Sequence, residues 1–109
     1  IITASPEILI RSVIHHWQIP VGQVLGMQLA TKSGILMPEI IEPMTSRQGK
    51  VERLQQAGHA EIALAMGDSQ NDFELLKHAG TKIFLDRGKP VLAAAAKELG
   101  AMIQPFWRP

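Results

Sequence analysis

The sequence contains no cysteine. That excludes a disulfide framework, thiolate zinc sites and cysteine nucleophiles. Charge is scarce: 19% of residues are charged against 46% hydrophobic, and the net charge is +1. This balance rules out intrinsic disorder, which needs low hydrophobicity and high charge. It also offers no broad basic field, so nucleic acid is not an expected partner. No apolar run approaches the ~18 residues of a helical membrane span, so no membrane partner is expected. Repeats and low-complexity tracts are missing, and the alanine run Ala93 to Ala96 reads as plain helix. An initiating methionine is missing too. The chain opens with Ile1-Ile2-Thr3, inside what reads as a strand, whereas chain ends usually fray at the surface. The expectation is a piece of a longer chain, with targeting signals upstream of view. A cytoplasmic location is the working expectation.

The 109 residues and 12.0 kDa suffice for one core. Area scaling has such a chain bury roughly 65% of its unfolded surface. Strand and helix signals alternate throughout. Ile1 to Ala4 reads as a short strand. Ser5-Pro6-Glu7 follows as an N-cap, a first-turn proline and a first-turn acid. The helix runs to about Trp17, with Ile10, Val13, Ile14 and Trp17 at helical spacing. Residues from about 22 to 42 read as an inserted β-hairpin turning at Lys32-Ser33-Gly34. Pro38 marks its second strand as an edge. A helix from Gln48 to Ala57 stops at Gly58. The apolar run Ile62 to Met66 suits a strand buried on both faces. Phe73, Leu76 and Ala79 mark a helix closed by Gly80. Lys82 to Leu85, a helix from Pro90 to Gly100, and Ala101 to Ile103 complete the pattern. The five methionines read as core filler. Such alternation predicts an α/β fold, a parallel sheet flanked by helices.

Ligands of open parallel sheets sit at the carboxyl ends of strands. After the first strand come Thr3, Ala4 and Ser5, hydroxyls and backbone N–H groups at a helix start, where anions bind. After Ile62 to Met66 comes Gly67-Asp68, with Asp72 four residues on. Carboxylates that close favour a hard divalent cation, and Mg²⁺ accepts few carboxylates plus waters and a phosphate oxygen. Lys50 lies at a helix start, against the helix dipole. Its ammonium is a hint of a phosphate partner.

Plainer readings stand beside these. Asp68 and Asp72 could cap the helix that follows them. Lys50 could be a solvated surface lysine, and Thr3 an ordinary strand end. An EF-hand is excluded, since Phe73 and Ala79 replace the required Gly and Glu. A P-loop is excluded because Met44 and Val51 stand where Gly and Ser/Thr are needed. His15 and His16, adjacent on a helix, cannot face one metal. They suit the helix C-terminus, as does His78. Asp86 reads as a loop carboxylate. Phe106-Trp107-Arg108 pack on the sheet or mark a contact.

In order and type, Ile1-Ile2-Thr3-Ala4-Ser5-Pro6, Gly49-Lys50 and Gly67-Asp68-Ser69-Gln70-Asn71-Asp72 resemble three motifs of the haloacid dehalogenase superfamily. The hairpin fits its phosphoserine-phosphatase-like branch, and the resemblance spans essentially the whole chain. It implies a Rossmann-like sheet, Mg²⁺ as cofactor and a small phosphorylated metabolite as substrate. It further implies that Thr3 and the Ala4 N–H contact the phosphoryl group and that Lys50 offsets its charge. Asp68 would bind Mg²⁺, with Asp72 completing or orienting its shell and Asn71 touching phosphate. The family's first motif, Asp-x-Asp, supplies the nucleophile on a strand between the second- and fourth-motif strands. Here the only aspartates are Asp68, Asp72 and Asp86. The resemblance therefore implies a partial core, residues 1–109, without its central nucleophile strand and cap. A missing N-terminal segment or a second chain would fill the gap, and an open sheet favours self-association. The alternative is a non-catalytic binding or regulatory domain of the same fold.

Overall fold

The computed structural model describes residues 1–106. The chain divides into two compact units, 1–57 and 58–109, and each holds a three-stranded sheet. The expected mixed α/β class with parallel strands and flanking helices is what the chain adopts.

In the first unit, β1 (Ile2–Pro6) leads directly into α1 (Glu7–His16). The strands β2 (Leu25–Lys32) and β3 (Ile35–Ile41) follow, then α2 (Gln48–Gln56). The strand order is β1-β2-β3. The start of β2 pairs parallel with β1, and its remainder pairs antiparallel with β3. The segment read as an inserted hairpin thus also supplies a parallel strand of the sheet. Ser33 and Gly34, with φ of 52° and 76°, make the two-residue turn whose twist matches the strands. The strand β3, with Pro38, is an edge as expected. Val24, Leu25 and Val51 are the buried apolar residues of this unit.

Two details of α1 differ from expectation. Its N-cap is Pro6, and Ser5 belongs to β1. Residue Trp17 is 68% exposed, because the helix ends at His16 and Trp17 turns off its apolar stripe. No α1 residue is fully buried.

The second unit runs β4 (Ile62–Gly67), a 3₁₀ turn (Gln70–Asp72), α3 (Phe73–Lys77), β5 (Ala79–Asp86), α4 (Pro90–Glu98) and β6 (Met102–Pro105). Its sheet, β4-β5-β6, is wholly parallel. Leu75, Leu76, Phe84 and Ala96 form its core, with Ala65, Ala79 and Ala101. The rings of Phe73 and Phe84 meet edge-on, with centroids 5.8 Å apart, a favoured aromatic geometry. At the end of α4 the Ala101 and Gly100 N–H groups bond the Ala96 and Lys97 carbonyls. Gly100 has φ +83°, so this is a Schellman close that glycine permits.

Three expectations for this unit are corrected. Gly80 does not close a helix: α3 ends at Lys77, and Gly80 lies inside β5 against the Ala63 carbonyl. The strand β4 is not buried on both faces, since Leu64 and Met66 on one face are 55% and 49% exposed. A continuous apolar run is covered twice only where elements pack on both faces; α3 packs on β4, and the face with Leu64 and Met66 stays open. Met66 and Met102, like Met44 in the first unit, are exposed rather than core filler.

Among the described residues, no strand pairs with β1 on the side away from β2, and none with β4 on the side away from β5. Trp107 and Arg108 lie outside the described residues.

Candidate active site

Thr3 sits where β1 leaves its ladder. The register passes from Ile2 opposite Leu25 to Pro6 opposite Met27 through an irregularity. Three residues, Thr3 to Ser5, thus bulge out of register, and Ala4 is exposed. The Ser5 N–H donates to Thr3 Oγ1 at 3.1 Å. The hydroxyl is oriented by accepting that bond, and its own proton remains to donate. Such a turn at a helix start suits an anion.

Glu7, the first residue of α1, is the hub below this turn. Its Oε1 accepts from Arg11 Nε and Nη2 at 2.9 and 2.8 Å. Its Oε2 accepts from the Gly26 N–H at 3.0 Å and faces Arg53 Nη2 at 3.4 Å. Burial raises the Glu7 pKa. The bond from Gly26, the bond and charge of Arg11 and the charge of Arg53 outweigh burial and hold it below the ordinary value. Gly26 admits no side chain, since a Cβ there would stand 2.6 Å from Glu7 Cα. One carboxylate thus ties α1 to β2 and α2. A glycine inside a strand was its only trace in the sequence.

Lys50 lies in the first turn of α2, which packs on β1. It is 7% exposed, so the solvated surface reading is excluded. The entry to α2 is tight. Gly49 presses on the Met44 carbonyl so closely that no Cβ fits, and Arg47 takes φ +50°. Thr45 is fully buried, and its hydroxyl has no hydrogen-bond partner among the described residues.

In the second unit, β4 delivers Gly67, Asp68 and Ser69 to the loop before the 3₁₀ turn. Asp72 is 6% exposed. Its Oδ2 accepts from the N–H groups of Asp68 and Ser69, both at 3.1 Å, and from Ser69 Oγ at 2.9 Å. Ser69 and Asp72 form a capping box. The helix-capping reading therefore describes what Asp72 does in this structure. Asp68 points the other way. Its side chain is 39% exposed, and Oδ2 accepts from Arg87 Nη1 at 2.9 Å. Asn71 is exposed on the same turn. Arg87, which follows β5, went unnoticed in the sequence because nothing in Asp86-Arg87-Gly88-Lys89 shows which strand end it reaches. Asp86 is the loop carboxylate expected, its Oδ1 accepting from the Gly88 and Lys89 N–H groups at 2.9 and 3.0 Å. His78 closes α3, its Nδ1 lying 2.8 Å from the Glu74 carbonyl.

Asp68 suits Mg²⁺ in type. Its carboxylate is a hard oxygen donor, accessible, and already facing a cation in the guanidinium of Arg87. Among the described residues no three His, Asp or Glu side chains cluster. One carboxylate with waters and a phosphate oxygen is nonetheless a set that Mg²⁺ accepts.

A family model described as haloacid dehalogenase-like hydrolase matches residues 1–77. That span includes Thr3, Lys50, Asp68, Asn71 and Asp72. Neither curated proteins nor solved structures gave a match.

Proposed function

The chain belongs to the haloacid dehalogenase-like hydrolases, and on that premise we propose that it is the C-terminal part of a Mg²⁺-dependent phosphomonoester hydrolase. The reading places it in the phosphoserine-phosphatase-like branch, acting on a small phosphorylated metabolite in the cytoplasm. What carries the reading is the loop after β4, where Asp72 holds the backbone of Asp68 and leaves the Asp68 carboxylate presented to a cation.

In this proposal Thr3 donates its hydroxyl proton to a phosphoryl oxygen, with the Ala4 N–H beside it. Lys50 offsets phosphate charge from a buried position, where an ammonium acts more strongly than in water. Asp68 holds the Mg²⁺, which when bound supplies Lewis-acid stabilisation of the phosphoryl oxygens. Asp72 positions Asp68, and Asn71 contacts phosphate. The nucleophilic carboxylate comes from an Asp-x-Asp strand upstream of Ile1, since no two aspartates of this sequence have that spacing.

The test is to express residues 1–109 alone and joined to the segment encoded upstream. The chain alone is expected to hydrolyse phosphomonoesters slower by a factor on the order of 10⁶, the cost of losing a nucleophile. The joined protein is expected to turn over with Mg²⁺. Robust Asp68-dependent activity from the chain alone would sink the proposal. So would an upstream segment without Asp-x-Asp, which would leave a non-catalytic module.

A further inference from the structure

The carboxyl ends of β4, β5 and β6 lie side by side in one parallel sheet, with Gly67 opposite Phe84 and Asp86 opposite Pro105. Each end contributes one group. Asp68 follows β4, Arg87 follows β5 and Phe106 follows β6. The guanidinium of Arg87 bonds Asp68 Oδ2 at 2.9 Å. Its central carbon lies 5.7 Å from the centroid of the Phe106 ring, within cation–π reach. The loop beneath is fixed by Asp86, which accepts the Gly88 and Lys89 N–H groups. Gly88 has φ +80°, which sends the chain back after Arg87. Arg87 is thus placed by its neighbours, Asp68 and Phe106 among them.

We propose that Arg87 is the resident counter-cation of Asp68, with which a divalent ion competes, and that it thereby tunes the metal affinity of this loop. The proposal rests on Asp68 being the metal-binding carboxylate. A guanidinium on Oδ2 and a divalent cation on the same carboxylate repel each other and compete for its charge, so metal binding weakens this charge-assisted bond, and breaks it where the metal takes Oδ2. The pair is partly exposed, 58% for Arg87 and 39% for Asp68. Screening keeps such a pair weak, so Arg87 tunes the affinity without closing the site. While no metal is present, the arginine also neutralises a carboxylate beside the expected phosphate.

The experiment titrates the protein joined to its upstream segment with Mn²⁺ and follows the free ion by electron paramagnetic resonance. Arg87→Ala and Arg87→Gln are expected to bind Mn²⁺ about fivefold more tightly than the parent sequence, the upper range for an exposed pair, with Lys89→Ala unchanged within about twofold. Asp68→Asn is expected to abolish binding. Raising the salt concentration should narrow the gap between the Arg87 variants and the parent. Two arginine variants with unaltered circular dichroism guard against a folding defect. Unchanged affinity in both, with binding still lost in Asp68→Asn, overturns the proposal and leaves the functional reading intact. An equal gain in Lys89→Ala also overturns it, since net charge alone would then explain the effect. Binding that survives Asp68→Asn, or no binding by any form, overturns the functional reading itself.

Discussion

Asp72 is folded back onto Gly67: a Cβ at residue 67 would stand 2.7 Å from Asp72 Cγ and 2.9 Å from Oδ2. The glycine and the second aspartate of this loop therefore require each other. Gly67 leaves the space that the Asp72 carboxylate fills, and from there Asp72 accepts the N–H groups of Asp68 and Ser69. The four-residue spacing between the aspartates serves packing and capping, and it leaves Asp68 alone facing outward.

Gly67→Ala is expected to destabilise the chain by about 1–3 kcal/mol, the usual cost of overpacking. Urea midpoints of the two proteins give the value. A midpoint unchanged by the substitution would show that Asp72 moves aside freely.

Asp72→Ala is expected to cost about 1 kcal/mol through the lost cap. The more specific signature is local. The Asp68 and Ser69 amides should exchange with solvent much faster while β5 amides keep their protection. Hydrogen exchange read residue by residue decides it, and equal acceleration throughout the unit would contradict the local role.

Glu7 gives the first unit a defined acid sensitivity. Its folded pKa is lowered from 4.5, so its contribution is fully present above that value. The contribution is lost as pH falls through the lower folded value. Glu7→Gln removes this linkage. Its urea midpoint is expected to be lower than the parent's at neutral pH and to fall less steeply below pH 4.5. Parallel curves for the two proteins would count against the network.

Thr45 is a fully buried hydroxyl without a partner among the described residues. Its desolvation is uncompensated, a cost of about 1–3 kcal/mol by mutational measure. Thr45→Val keeps the shape and removes the hydroxyl, so the chain is expected to gain about 1 kcal/mol. Thermal unfolding measures it. A loss of stability would mean the hydroxyl is bonded in solution.

In the protein joined to its upstream segment, Asp68→Asn is expected to lower turnover at least about 100-fold, since supporting groups of metal sites alone cost up to that much. His15→Ala, on an exposed helix end, should leave both turnover and Mg²⁺ binding unchanged. Equal effects in steady-state kinetics would overturn the assignment of Asp68.

Much of the local structure was legible in the residues themselves. Proline at the start of α4 and glycines at 34, 58 and 100 mark turns and helix ends, because their dihedral limits act through the chain alone. Gly80 misled, since a glycine after an apolar helical stretch also fits a close backbone approach inside a strand. The apolar run of β4 misled in another way. Hydrophobicity states what a strand could bury, but only its neighbours settle whether it does.

The same division holds for the candidate site. Residue pattern alone carried the alternating α/β class, the hairpin, and the placing of Lys50 at a helix start and Asp68 at a strand end, whereas Thr3 stands inside β1. Those features follow from periodicity and local dihedral preference, which need no distant partner. Folding settled that Lys50 is buried, that Asp72 turns inward onto Gly67, and that Arg87 reaches Asp68. The last of these depends on which strand ends the parallel pairing of β4 with β5 sets side by side. Pairing across a crossover is a long-range choice, made by burial of the whole core, and no single stretch of sequence carries it.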